Sequence, residues 1–148
     1  MNDFVAVLEQ ARSEGDTARV ADLVPYGRLL GIQFEELSDG ALVFRLPFQQ
    51  RNIGNPFLPA LHGGVIGAFM EHAAILHLLW RQETTRLPKV IDFSIDYLRP
   101  GRPEEVLARC EVRRQGKRVA NVGVVAWHGG DEDRMIATAR SHFLLGGH

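Results

Sequence analysis

The sequence predicts an α+β fold, with one curved antiparallel sheet wrapped around a single long helix. Three observations carry this reading. The stretch from residue 57 to 80 is the most apolar in the chain, and its helical part, from Gly63 on, is apolar nearly all round. Four long strand-like segments follow it, the first of which, "VIDFSIDYL", alternates Ile91, Phe93, Ile95 and Tyr97 with Asp92, Ser94 and Asp96. The connectors "RQGK" and "HGGDED" are short and turn-like, so the strands they join should run antiparallel.

Taken in chain order, Phe4, Val5, Val7, Leu8 and Ala11 sit at helical spacing over residues 2 to 13, and a shorter helix is expected over 22 to 30. Residues 1–24 thus read as an N-terminal helical extension. Their acidic residues and lack of a basic leader segment argue against a signal peptide, and a cytoplasmic protein is expected. "IQFEELSDGALVFRLP" predicts two strands, Ile32 to Leu37 and Ala41 to Leu46, joined at Ser38-Asp39-Gly40. Residues 47 to 62 are a loop rich in Pro, Asn and Gln. The central helix should begin at Gly63 and Gly64 and run to about Gln82, and further strands are expected near 104–114, 118–128 and 134–145.

The chain has 148 residues, 45% hydrophobic and 24% charged, which fits one domain spanning 1–148. A formal charge of −1 provides no bulk attraction to nucleic acid. Glu71, His62, His72 and His77 interrupt the apolar stretch, so it is expected to be a core helix rather than a membrane span. Cys110 is the only cysteine; no intrachain disulfide is possible, and it reads as a small buried hydrophobe.

"LHGGVIGAFMEHAAILH", residues 61 to 77, concentrates the chemistry. A carboxylate in so apolar a helix is costly unless it is paired, neutralised or used. The first N–H groups of a helix have no internal partner, and glycines leave room for a substrate oxygen to approach them. Such donors stabilise charge developing on an acyl oxygen, while Glu71 can attack the carbonyl or deprotonate a water. A thioester suits this equipment because its thiolate leaves without a general acid. Gly67, Ala68 and Ala74 leave space beside Glu71. The structural alternative is a core Glu paired to a buried Arg or a His.

Glu71 lies about 10 to 12 Å along the axis from Gly63 and Gly64, too far to meet a carbonyl held at its own helix start. If both serve one substrate, a second copy of the chain must supply one of them across a two-fold axis.

Other chemistries find no support. The four serines lie in no G-x-S-x-G elbow, and the glycines of "HGGVIGAF" fit no nucleotide phosphate loop. H-E-x-x-H is absent, so no metal is expected. Asp92 and Asp96 stand roughly 13 Å apart on one strand face, too far for a glycosidase pair, and read as solvated or paired to basic neighbours.

"NPFLPALHGGVIGAFMEHAA" resembles the hotdog-fold acyl-CoA thioesterase superfamily, in its phenylacetate-pathway (PaaI-like) branch, and "GIQFEEL", "IDFSIDYLRPG" and "RRQGKRVANVGVVAW" resemble its flanking strands. The resemblance runs from about Pro25 to Leu145. It implies a six-stranded antiparallel sheet around the central helix, and a homodimer or dimer of dimers with active sites at the subunit interface. It implies Glu71 as nucleophile or general base, the Gly63 N–H polarising the thioester carbonyl, Asn55 orienting water or substrate, and His62 shaping the approach to the helix. Asn55 equally fits a turn residue before Pro56.

The implied substrate is an acyl-CoA, with coenzyme A arriving as part of it and no separate cofactor. Gly64 and Phe57 would contact that substrate. Arg99, Arg102, Arg109, Arg113, Arg114, Lys117 and Arg118 give seven basic residues against three acidic ones between 99 and 118, so Arg99, Arg113, Arg114, Lys117 and Arg118 are candidates for its phosphates; a solvated hairpin is the alternative. Phe57, Leu58, Phe69, Leu76 and Trp80 are candidates for the acyl pocket and equally for the core. Two rival functions are a hotdog dehydratase or hydratase, disfavoured because "NPFLPA" lacks a histidine, and a non-catalytic acyl-CoA binding module.

Overall fold

The computed structural model describes residues 2–81 and 86–146. The elements in order are α1 (Asn2–Glu14), α2 (Thr17–Ala21), α3 (Pro25–Leu30), β1 (Gln33–Glu36), β2 (Leu42–Leu46), a 3₁₀ turn (Gln50–Asn52), β3 (Ile53–Asn55), β4 (Ala60–Leu61), α4 (Gly63–Arg81), β5 (Lys89–Tyr97), β6 (Val106–Gln115), β7 (Val119–His128) and β8 (Ala137–Leu144). Two expectations need correcting. Three helices precede the sheet rather than two: Asp16 caps α2 through its side chain, starting a short helix that hydrophobic periodicity is too coarse to register. The loop over 47–62 contains the 3₁₀ turn and a two-stranded hairpin of β3 and β4. Gln82, the expected last residue of the central helix, lies outside the described residues.

The six main strands form one antiparallel sheet in the order β1-β2-β6-β7-β8-β5. The turn at Ser38-Asp39-Gly40 is closed by the Asp39 carboxylate accepting from the Ala41 N–H at 3.0 Å. β5 pairs with β8, not with β6, so residues 98–105 carry the chain past two strands. Buried His128 at the end of β7 holds this crossover: its Nε2 accepts from the Arg102 N–H at 2.9 Å, and its Nδ1 lies 2.9 Å from the Glu105 carbonyl oxygen.

The inner faces of β2, β5, β6 and β7 pack on α4, and α2 and α3 cover much of its other side. Phe69, Met70, Ala73, Ala74, Leu76, Leu78 and Leu79 are almost fully buried there, joined by Leu8 and Ala11 of α1 and Val20 and Ala21 of α2. The N-terminal helices therefore belong to the same core. Arg12 donates from Nε to the Leu79 carbonyl at 2.6 Å, satisfying a C-terminal carbonyl of α4. By length and composition alone α4 is apolar enough to cross a membrane, contrary to the expectation that its polar residues exclude this; sheet and helices pack against much of it, the setting of a core helix.

Candidate active site at the start of the central helix

The first turn of α4 is held from several sides. The His62 carbonyl accepts from the N–H groups of Val65 and Ile66, at 3.1 and 3.3 Å. The His62 ring accepts the Gly64 N–H at Nδ1, 2.9 Å, which puts the ring proton on Nε2. His62 is thus the side-chain cap of α4. Its position demands small neighbours: a Cβ on Gly64 would lie 2.8 Å from the ring, and one on Gly54 of β3 would lie 2.6 Å from the His62 Cα. Of the first four amides of α4, only that of Gly63 finds no acceptor among the described residues. The expected set of bare amides reduces to one donor, since His62 occupies that of Gly64.

Glu71 is half-buried on α4 and makes no hydrogen bond or ion pair with any described residue. No buried arginine or histidine neutralises it, so the pairing expected of a structural glutamate is not found. Gly64, Gly67, Ala68 and Glu71 follow the i, i+3, i+4, i+7 spacing of one helical stripe, and none of the four is buried. Ala74, expected beside them, belongs to the core instead. Phe93, Ile95 and Tyr97 of β5 border the stripe, all within 4 Å of where a Gly67 Cβ would lie. Beyond Ala68, the His72 ring packs 5.5 Å from Tyr26 of α3, and its Nδ1 lies 2.7 Å from the Ala68 carbonyl oxygen.

Asn55 ends β3 with its side chain turned into its own loop, Oδ1 accepting from the N–H groups of Phe57 and Leu58 at 3.0 and 3.4 Å. That is the turn-forming use of an asparagine. The loop it closes presents Phe57 and Leu58 to solvent, 95% and 66% exposed. Of the acyl-pocket candidates, Phe69 and Leu76 are core residues, and Trp80 stacks edge-on against Phe34 and donates to Glu36 at 3.4 Å.

The basic run is divided in space. Arg99 and Arg102 lie on the crossover, where Arg99 donates to the Met135 carbonyl and Arg102 pairs with Glu104. Arg113, Arg114, Lys117 and Arg118 are exposed at the β6–β7 hairpin, at the opposite end of β6. That strand is ten residues long, about 30 Å, so one protomer cannot bring all of them to one phosphate. Arg109 pairs with Glu132 and Asp92 with His142 at 2.8 Å. Cys110, expected to be a small buried hydrophobe, is only partly buried, and burial raises its thiol pKa.

Tyr97 was not among the expected site residues. Its hydroxyl donates to the Gly63 carbonyl at 2.5 Å. Alternation along β5 placed it on the same face as Phe93 and Ile95, but only the pairing of sheet and helix brings it to Gly63.

Six antiparallel strands around one long helix define a hotdog-fold protein, and among the described residues its helix start keeps a spare amide and, two turns on, an unpaired carboxylate. Residues 58–134 match the model of the Thioesterase superfamily. The chain is 34% identical over 136 residues to the medium/long-chain acyl-CoA thioesterase YigI of Escherichia coli K12, covering 83% of this chain and 86% of that protein. This chain belongs to the thioesterase superfamily. A crystal structure of a Chromobacterium violaceum protein matches with a TM-score of 0.77 at 45% identity, covering 99% of this chain and 98% of that one. A Bacillus halodurans protein solved with CoA shares the fold, with a TM-score of 0.72 at 20% identity and coverage of 95% and 92%.

Proposed function

We propose that this protein hydrolyses acyl-CoA thioesters, with Glu71 as nucleophile or general base and the Gly63 N–H as the donor to the developing oxyanion. The observation that carries the reading is the solitary Glu71: a half-buried carboxylate with no neutralising neighbour is expensive to keep unless chemistry uses it. The relative's name makes medium and long acyl chains the first substrates to test.

Each centre is shared by two copies of the chain. Gly63 and Glu71 lie eight residues apart on one helix, about 12 Å, so one copy's amide works with the second copy's carboxylate. β5 is where the copies meet. It is a nine-residue edge strand paired on one side only, and it carries exposed Val90, Ile91 (55%) and Tyr97 (51%), with Leu98 just beyond. Joining two such edges in antiparallel fashion also sets one copy's β6–β7 hairpin at the end of the sheet where the other's Gly63 lies. Arg113, Arg114, Lys117 and Arg118 would there face the phosphates of a CoA whose thioester is at Gly63, with Phe57 covering its pantetheine or acyl portion.

The test is thiol release from acyl-CoAs of short, medium, long and aromatic chains by wild type and Glu71→Gln. The variant should fold and lose at least about a hundredfold in kcat. Hydrolysis at the wild-type rate would end the assignment of Glu71. Hydration of an enoyl-CoA without thiol release would instead identify a hydratase.

A further inference from the structure

We infer that Tyr97 is a positioning residue for the oxyanion donor, forming with His62 a two-sided clamp on the peptide between Gly63 and Gly64. The inference rests on the hydrolytic reading above. The oxygen of that peptide accepts the Tyr97 hydroxyl at 2.5 Å, and its N–H donates to His62 Nδ1 at 2.9 Å. With both ends held, the peptide cannot rotate about the chain. The preceding peptide is fixed through its own oxygen, which accepts from Val65 and Ile66. What remains pointing away from this network is the Gly63 N–H.

Contact as well as hydrogen bonding sets the clamp. The Tyr97 ring lies 3.2 Å from where a Gly63 Cβ would be, and its hydroxyl lies 3.6 Å from the corresponding point on Gly67. A larger residue at Gly63 would push the ring off the helix. Tyr97 is also the last residue of β5, so it ties the direction of the amide to the sheet edge at which the second copy is proposed to dock. Preorganised donors cost no reorganisation as charge develops, and small misplacements are expensive.

Two measurements on Tyr97→Phe test this, because Phe keeps the ring and deletes only the hydroxyl. In amide NMR, the Gly63 and Gly64 resonances should shift and the Gly64 amide should exchange faster while the β5–β8 amides stay unchanged; undisturbed glycine amides would overturn the clamp. In kinetics, kcat should fall between about 10- and 100-fold. KM, and the affinity for an acyl-CoA thioether that lacks the carbonyl oxygen, should hold. An unchanged kcat, or a loss of thioether affinity in step with kcat, would overturn the positioning role. If wild type releases no thiol from any acyl-CoA, the hydrolytic reading fails, and the amide measurement still decides whether Tyr97 holds the peptide.

Discussion

The two halves of α4 are built to different rules. From Gly63 to Glu71 one stripe is lined by Gly64, Gly67 and Ala68 and left open, and the half ends in a carboxylate without a partner. From His72 to Leu79 the same stripe continues through Ile75, Leu78 and Leu79, and it is closed: the last two are fully buried. One helix therefore carries both the proposed site and part of the core. The second half, packed by the sheet and anchored through Leu79 to Arg12 of α1, makes the first half rigid enough to hold an amide and a carboxylate at fixed places. Stability and activity should accordingly separate along its length.

The largest expected effect lies in the open half. Glu71→Gln should abolish most turnover while leaving the melting temperature unchanged or slightly higher, because it removes an uncompensated half-buried charge; a large fall in melting temperature would mean that Glu71 is structural after all. The closed half should show the converse. Leu78→Ala, at a position with no exposed surface, should cost about 2–5 kcal/mol in denaturant unfolding. Its kcat per folded molecule should change little, and a loss of kcat matching that of Glu71→Gln would erase the division.

His77 offers a subtler probe of the closed half. Burial, helped by the charge of Arg81 one turn on, lowers its pKa to about 4, and its Nδ1 is buried without a hydrogen bond. A group whose folded pKa lies below its unfolded value supports the fold while neutral. That contribution is complete above about pH 6.5 and drains away as pH falls through 4, to at most roughly 3 kcal/mol. His77→Leu should flatten the acid side of the stability profile between those values. An acid limb as steep as that of wild type would show that other groups control it.

Much of the fold was legible because its signals are local. The apolar run from Gly63, the alternation in "VIDFSIDYL" and the turn at Ser38-Asp39-Gly40 each reflect a short-range preference, and each element formed within a few residues of expectation. β3 and β4 are not legible because segments of three and two residues are too short to display a period, and α2 because five residues barely exceed one helical turn. The basic run from Arg99 to Arg118 is harder to read for the opposite reason. Neighbours in sequence need not be neighbours in space, and an extended strand carries its two ends far apart.

The chain's own order of residues was enough to specify the central helix, the two glycines that open it and the odd carboxylate within it, since propensity, periodicity and the cost of a buried charge all act over one or two turns. Packing decided the rest. That β5 lies at an exposed edge and that Tyr97 reaches the Gly63 carbonyl depend on strands and helix brought together from residues 34 to 55 apart, whereas the His62 ring takes the Gly64 amide over two residues and leaves the Gly63 N–H spare. Hydrogen bonds of 2.5 to 2.9 Å select one arrangement out of many that a hydrophobic pattern alone would accept.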